Sequence, residues 1–185
     1  MNQDPTLIAY IIFVAIFFLM ENIVMARLGA RIRVSWKDKT LLLVIVPFYL
    51  TLIAAPLEYL YLPHPTSIGF YVAGGFLFIL GTLLRLKAHL DLGRAFSISI
   101  DRKSDQQIVK VGLYRTIRHP LYLAILLIQV AAPLFLADTL TWLLTSLGIA
   151  GMLIRIRLEE RYLTQEFTDY ADYMQKTWKL IPWIY

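Results

Sequence analysis

Residues 121–154 read LYLAILLIQVAAPLFLADTLTWLLTSLGIAGMLI, two apolar runs divided by a single acidic residue, Asp138. A bilayer core of roughly 30 Å takes about 20 residues of helix, and somewhat shorter runs also suffice. Leu121 to Ala137 and Thr139 to Ile154 therefore read as helices 4 and 5 of a membrane bundle, joined as a tight hairpin. Immediately before them, Val109 to Tyr122 reads VKVGLYRTIRHPLY, polar and basic. Proline is tolerated in the first turn of a helix and drives the preceding residue out of helical geometry. Pro120 should therefore open helix 4, with His119 as the last non-helical residue. The first amide groups of that helix lack internal partners. With Tyr114, Tyr122, Arg118 and His119 they form a candidate receptor for a polar ligand at the membrane surface.

Composition agrees with a membrane location for the rest of the chain. Of the 185 residues, 58% are hydrophobic and 17% charged, and the mean hydropathy is +0.62. A soluble domain of this size would be less apolar. The chain is read as a single membrane-embedded domain over 1–185, with helices 1–3 in 1–90 and the polar, site-bearing half in 91–185. With no cysteine, disulfides, thiolate metal ligands and a cysteine nucleophile are excluded.

Working outward, Leu7 to Ala26 is interrupted only by Glu21 and Asn22 and spans 20 residues. The only charge before it is Asp4, so a retained helix 1 is expected and not a cleaved leader. Glu21 is either turned into the bundle or placed near the interface. Leu41 to Leu57 forms helix 2, where Pro47 and Pro56 should kink or end the helix. Ile68 to Leu84 forms helix 3, whose Gly69, Gly74, Gly75 and Gly81 suit close approach by a neighbour. From Arg155 to about Trp178 the sequence turns charged and amphipathic. It reads as a C-terminal helix lying against the cytoplasmic face.

All 18 Lys and Arg fall after helix 1, between Arg85 and Arg118, or after helix 5. Five crossings place those three regions on one side, and the positive-inside rule makes that side cytoplasmic, with the N-terminus outside. The pI near 9.5 is thereby explained by topology and anionic headgroups, which argues against a nucleic-acid partner.

Arg155 and Glu159 stand four residues apart on one helix face. The bland reading is a solvated surface ion pair, which is common and worth little. His64, His89 and His119 show no metal-ligand spacing.

Gly112-Leu113-Tyr114, Arg118-His119-Pro120-Leu121-Tyr122, Arg155-x-x-x-Glu159-Glu160, Phe167, Tyr170, Tyr173 and Ile181-Pro182 occur in that order. The combination, spanning roughly Leu92 to Pro182, resembles the C-terminal half of the isoprenylcysteine carboxyl methyltransferases and related membrane methyltransferases. The resemblance implies an all-α integral membrane enzyme of five transmembrane helices that binds S-adenosylmethionine at its cytoplasmic end and releases S-adenosylhomocysteine. It implies no metal and no obligate protein partner. Its partners would be the bilayer and a lipid-like or lipidated substrate. Carried over, the cofactor pocket falls on Gln106, Gln107, Ile108, Val109, Tyr114, His119, Pro120, Leu121, Tyr122 and Glu159, and the substrate-carboxylate arginine on Arg155. Two departures stand out: Gln106 where members of the family often carry histidine, and a Phe167-to-Tyr173 segment without the usual glycine and one residue shorter.

Methyl transfer from a sulfonium to an ionised carboxylate needs no base and no metal, so alignment and exclusion of water suffice. An amine acceptor would need a base, for which His119, Glu160 and the tyrosines are the candidates. The expected acceptor is a prenylcysteine-type carboxylate, with a phospholipid amine or a thiol as the alternatives. A scaffold or transporter would instead distribute polar residues along the bilayer midplane. Here they gather at one end.

Overall fold

A computed structural model describes residues 4–28, 38–65, 67–93 and 108–184. Among these the order is α1 (Pro5–Leu28), a 3-10 turn (Lys39–Leu41), α2 (Leu42–Tyr61), α3 (Ile68–Leu92), a second 3-10 turn (Gly112–Arg115), α4 (Pro120–Leu136), α5 (Thr141–Glu166) and α6 (Tyr170–Gln175). Four helices are long and apolar enough to cross a membrane, over Pro5–Arg27, Lys39–Tyr61, Ile68–Leu92 and Thr141–Glu166; the shorter Pro120–Leu136 is also apolar. Ile12, Ile16 and Leu19 on α1 and Leu83 on α3 lie exposed, as lipid-facing side chains would. The chain is a multi-pass membrane protein.

Helix α4 begins as its sequence dictates. Pro120 occupies the first turn, and His119 is non-helical at φ −123°, ψ 56°. Its far end closes on Ala137 in the left-handed region, where the Asp138 amide donates to Pro133 O at 2.9 Å. Four residues later α5 starts, and its unpaired amides are met from α2. The Glu58 carboxylate accepts from the Thr139, Leu140 and Thr141 amides at 2.6–2.7 Å and from the Thr141 hydroxyl at 2.7 Å.

The connection between α4 and α5 is short, yet the two pack mainly on other helices, α4 on α3 and α5 on α2. Glycines permit the first of these contacts. A methyl group added at Gly74 would lie 2.4 Å from the Phe135 amide nitrogen, and one at Gly81 2.8 Å from Ile128 Cγ1. Around them Tyr10, Phe13, Phe78 and Phe135 form an aromatic core, with the Tyr10 hydroxyl donating to Leu52 O at 2.9 Å. At mid-bundle the Gln129 amide reaches the Thr51 hydroxyl at 3.5 Å, and Thr145 donates to Gln129 O at 3.5 Å.

Three elements differ from the sequence reading. Helix α2 is ended by neither Pro47 nor Pro56 and runs on to Tyr61. Helix α3 continues to Leu92, which carries Arg85 and His89 as helical residues. The charged segment after Arg155 is not a separate helix: α5 continues unbroken to Glu166, and only the six residues of α6 follow. Leu180 is buried, and the tail is held by pairing, with Trp178 N donating to Thr116 O at 2.9 Å and Arg118 N to Trp178 O at 2.8 Å.

Candidate active site

The basic end of the bundle forms a cavity of about 410 Å³. Its polar wall comes from the 3-10 turn, the start of α4 and the end of α5. Ile108, Val109, Tyr114, His119, Leu121, Tyr122 and Glu159 all line it, and Phe167, Tyr170 and Tyr173 close it from the C-terminal side. Helices α1 and α2 supply a largely apolar part of the lining, with Phe17, Phe18, Met25, Val44, Ile45 and Phe48, interrupted by Glu21 and Asn22.

Of the residues expected in the site, seven reach the cavity. Pro120 is buried at the helix start and shapes the entry to α4 without lining the space. Gln106 and Gln107 lie outside the described residues. Arg155 is 1% exposed and is not among the lining residues. Its Nε donates to the Tyr122 hydroxyl at 2.7 Å, and its Nη1 donates to Asp38 at 3.0 and 3.1 Å and to Thr40 at 2.7 Å. That corrects the surface-pair reading, because neither Arg155 nor Asp38 is solvated. It also puts Arg155 behind the wall where the resemblance would have it meet a substrate carboxylate.

Two other arginines line the cavity, Arg118, whose guanidinium is bonded to Glu160, and Arg85. Arg85 on α3 grips Glu21 on α1, with Nε 3.0 Å from both carboxylate oxygens and Nη2 2.5 Å from Oε1. The His89 ring reaches the same carboxylate at 3.1 Å. Glu21 and Arg85 both line the cavity, so the bundle-facing reading of Glu21 holds. The sequence signal for Arg85 was slight: a cation one turn before His89, at the end of a glycine-rich apolar run.

The adjacent carboxylates at the end of α5 have separate surroundings. Glu159 accepts from the Tyr122 hydroxyl at 2.7 Å. Glu160 is buried among three basic groups, Arg118 Nε at 2.8 Å, Lys179 Nζ at 2.9 Å and His119 Nε2 at 3.3 Å. A carboxylate so surrounded anchors the His119 ring and the C-terminal tail and is poorly suited to take a proton. The tyrosines are equally poor bases. Burial, and after it the Glu159 charge, raises Tyr114 well above the usual phenol range; burial pushes Tyr173 up to about 12. Both stay protonated donors. Among the described residues no cluster of three His, Cys, Asp or Glu side chains could hold a metal ion.

Gly112 fixes the turn that delivers Tyr114. Its φ is +57°, and a methyl group there would fall 2.2 Å from the Asp91 carboxylate, which accepts from Leu113 N at 2.8 Å.

The sequence model of the isoprenylcysteine carboxyl methyltransferase (ICMT) family matches residues 72–165, just over half of the chain and nearly all of this wall. The chain belongs to this family. A protein-S-isoprenylcysteine O-methyltransferase from Saccharomyces cerevisiae is 33% identical over 117 residues, which cover 61% of this chain and 49% of that protein. For protein-S-isoprenylcysteine O-methyltransferase B from Arabidopsis thaliana the identity is 31%, covering 57% of this chain and 56% of the other. Methanethiol S-methyltransferase 1 from Bradyrhizobium diazoefficiens is 39% identical over a shorter 72 residues, 38% of this chain and 25% of that one. The chain thus spans about half the length of the eukaryotic relatives it matches. In fold it is similar to a solved eukaryotic intramembrane Ras methyltransferase ICMT, with a TM-score of 0.67 and 21% identity over 99% of this chain and 70% of the other.

Proposed function

We propose that this ICMT-family chain transfers a methyl group from S-adenosylmethionine to the carboxylate of a prenylcysteine-type lipid substrate at the cytoplasmic membrane face. The observation that carries this reading is the cavity itself, which joins a wall of Glu159, tyrosines and His119 to a largely apolar lining from α1 and α2. One space thus offers both a polar lodging and a greasy one, and its volume lies in the range of small-molecule sites.

The residues present fit the cofactor. When bound it would supply an activated methyl on a sulfonium, which an ionised carboxylate could take up in exchange for the sulfur with opposite charges cancelling and no proton moving. Glu159 balances the cationic ammonium end. Tyr114, Tyr170 and Phe167 offer faces to the adenosine. Ile108 and Val109 supply apolar cover. Of the two arginines on the cavity wall, Arg118 is committed to Glu160 and the C-terminal segment, and Arg85, oriented by Glu21, pairs with the acceptor carboxylate through forked hydrogen bonds. Catalysis is then alignment of the cofactor and the acceptor in this space.

Five crossings complete the proposed topology, with α4 as the fifth, the N-terminus outside and the basic end cytoplasmic. One membrane-embedded domain over 1–185 carries both the lipid-facing helices and the site. Methylation of a thiol is the second reading, favoured by the shorter match to the Bradyrhizobium relative. The test is a side-by-side assay of a farnesylcysteine analogue, a long-chain thiol and phosphatidylethanolamine with methyl-labelled cofactor. Label appearing as a base-labile ester of the first supports the proposal, whereas label only in the thiol or the amine contradicts it.

A further inference from the structure

Asp38 lies outside the residues that match the family model, and no motif singles it out. Its carboxylate is 7% exposed and accepts from Arg155 Nη1 at 3.0 Å, while the Thr40 hydroxyl donates to its other oxygen at 2.6 Å. Arg155 in turn donates from Nε to the Tyr122 oxygen at 2.7 Å. A guanidinium has donors only, so the phenol oxygen must be the acceptor there. The single phenol hydrogen is therefore directed to Glu159 Oε2, 2.7 Å away. The chain of bonds runs one way, from α5 through α4 back to the cavity wall on α5. Among the described residues no other group bonds Glu159.

We propose that Asp38, acting through Arg155 and Tyr122, positions the Glu159 carboxylate and keeps it available for the cofactor's ammonium group. This rests on the cofactor reading given above. Arg155 stands one helical turn before Glu159 on the same face, a spacing at which the two would readily pair. A buried guanidinium needs a counter-charge. Asp38 supplies that charge from the far side and holds Nη1 away, leaving Glu159 with the Tyr122 bond that aims it. Without Asp38, Arg155 turns onto Glu159 and competes with the ligand. Asp38 and Arg155 are positioning residues, since neither lines the cavity.

The test is calorimetric titration of S-adenosylhomocysteine into the detergent-solubilised protein and its variants. Losing a charge-assisted link corresponds to roughly tenfold or more in affinity. Asp38→Asn is expected to weaken binding by that factor in the parent and by less than about twofold in a Glu159→Gln background, because the route ends at Glu159. Equal losses in both backgrounds, or none in the parent, overturn the proposal. A second readout needs no ligand: 3-fluorotyrosine at position 122 reports its two partners. Its fluorine signal should move in Asp38→Asn by an amount comparable with Glu159→Gln, and an unmoved signal also overturns the relay. Should Asp38→Asn fail to fold, Arg155→Lys carries the same comparison, because it keeps the charge and loses the Nε bond. A parent protein that binds no S-adenosylhomocysteine overturns the cofactor reading and with it the purpose of the relay. The fluorine signal then shows whether the bonds themselves stand.

Discussion

In the proposed function Arg85 and Glu159 divide the work on the cavity wall, and variants separate them. Arg85→Ala should lower turnover efficiency roughly 30- to 1000-fold, on the order of 2 to 4 kcal/mol of transition-state alignment, while S-adenosylhomocysteine affinity barely moves. Arg85→Lys should also lose heavily, because a point charge cannot reproduce the fork. Glu159→Gln should show the reverse, with cofactor affinity falling first; calorimetry and steady-state kinetics on the same preparations check the split. A loss of cofactor affinity equal in both variants would show that this division of roles is wrong. At this scale the sequence disclosed what is local. His119, Tyr122 and Glu159 stand in motifs whose spacing survives in a single chain, and all three line the cavity. Pairings across the bundle left no such trace. Glu21 and Arg85 are 64 positions apart, and Arg155 and Asp38 are separated by 117. From spacing alone, Arg155 could only be read against its neighbour Glu159.

Among the elements, the turn before α4 and the contact between α3 and α4 are the points where one side chain decides the geometry. Gly112→Ala must adopt a left-handed backbone at φ +57° beside the Asp91 carboxylate. The backbone strain alone is about 1–3 kcal/mol. The turn carries Tyr114, so the expected result is a lower thermal midpoint together with weaker S-adenosylhomocysteine binding. Gly74→Ala places a methyl 2.4 Å from the Phe135 backbone. It should destabilise the bundle by about 1–3 kcal/mol through overpacking, seen as a lower midpoint in detergent with less effect on the site. The loop between α4 and α5 is expected to carry a pH response. Burial first, and the Glu58 charge second, raise Asp138 to about 8. A carboxyl raised in the folded state contributes stability that is complete below the unfolded value near 4 and is lost as pH rises through about 8. Asp138→Asn should flatten that slope and exceed the parent midpoint at pH 9; identical pH profiles would contradict the burial argument. Helix starts were readable because Pro120 fixes one. Helix ends were not: packing carries α3 to Leu92 and α5 to Glu166, past the points where the apolar pattern stops.

For the molecule as a whole, hydropathy and the clustering of Lys and Arg disclosed a multi-pass protein with its polar chemistry at one end, and the cavity lies at that end. The partner choice of the helices could not be read, since short loops suggest that α4 and α5 pair, whereas glycines steer α4 to α3. Orientation has its own test, made clean by the absence of native cysteine. A cysteine at Pro63 should react with an impermeant thiol reagent in intact cells, and one at Lys110 only after the membrane is opened; the opposite pattern would invert the topology. The central claim is that this cavity methylates a lipid carboxylate. It is tested most directly by incubating the purified protein in lipid nanodiscs with methyl-labelled S-adenosylmethionine and N-acetyl-S-farnesylcysteine, and then releasing label as methanol with base. The account predicts base-labile label that requires the free carboxyl group, is absent with the carboxamide analogue, and is lost in both Arg85→Ala and Glu159→Gln. Absence of labelled ester from the parent protein, or equal labelling of the carboxamide, would contradict it.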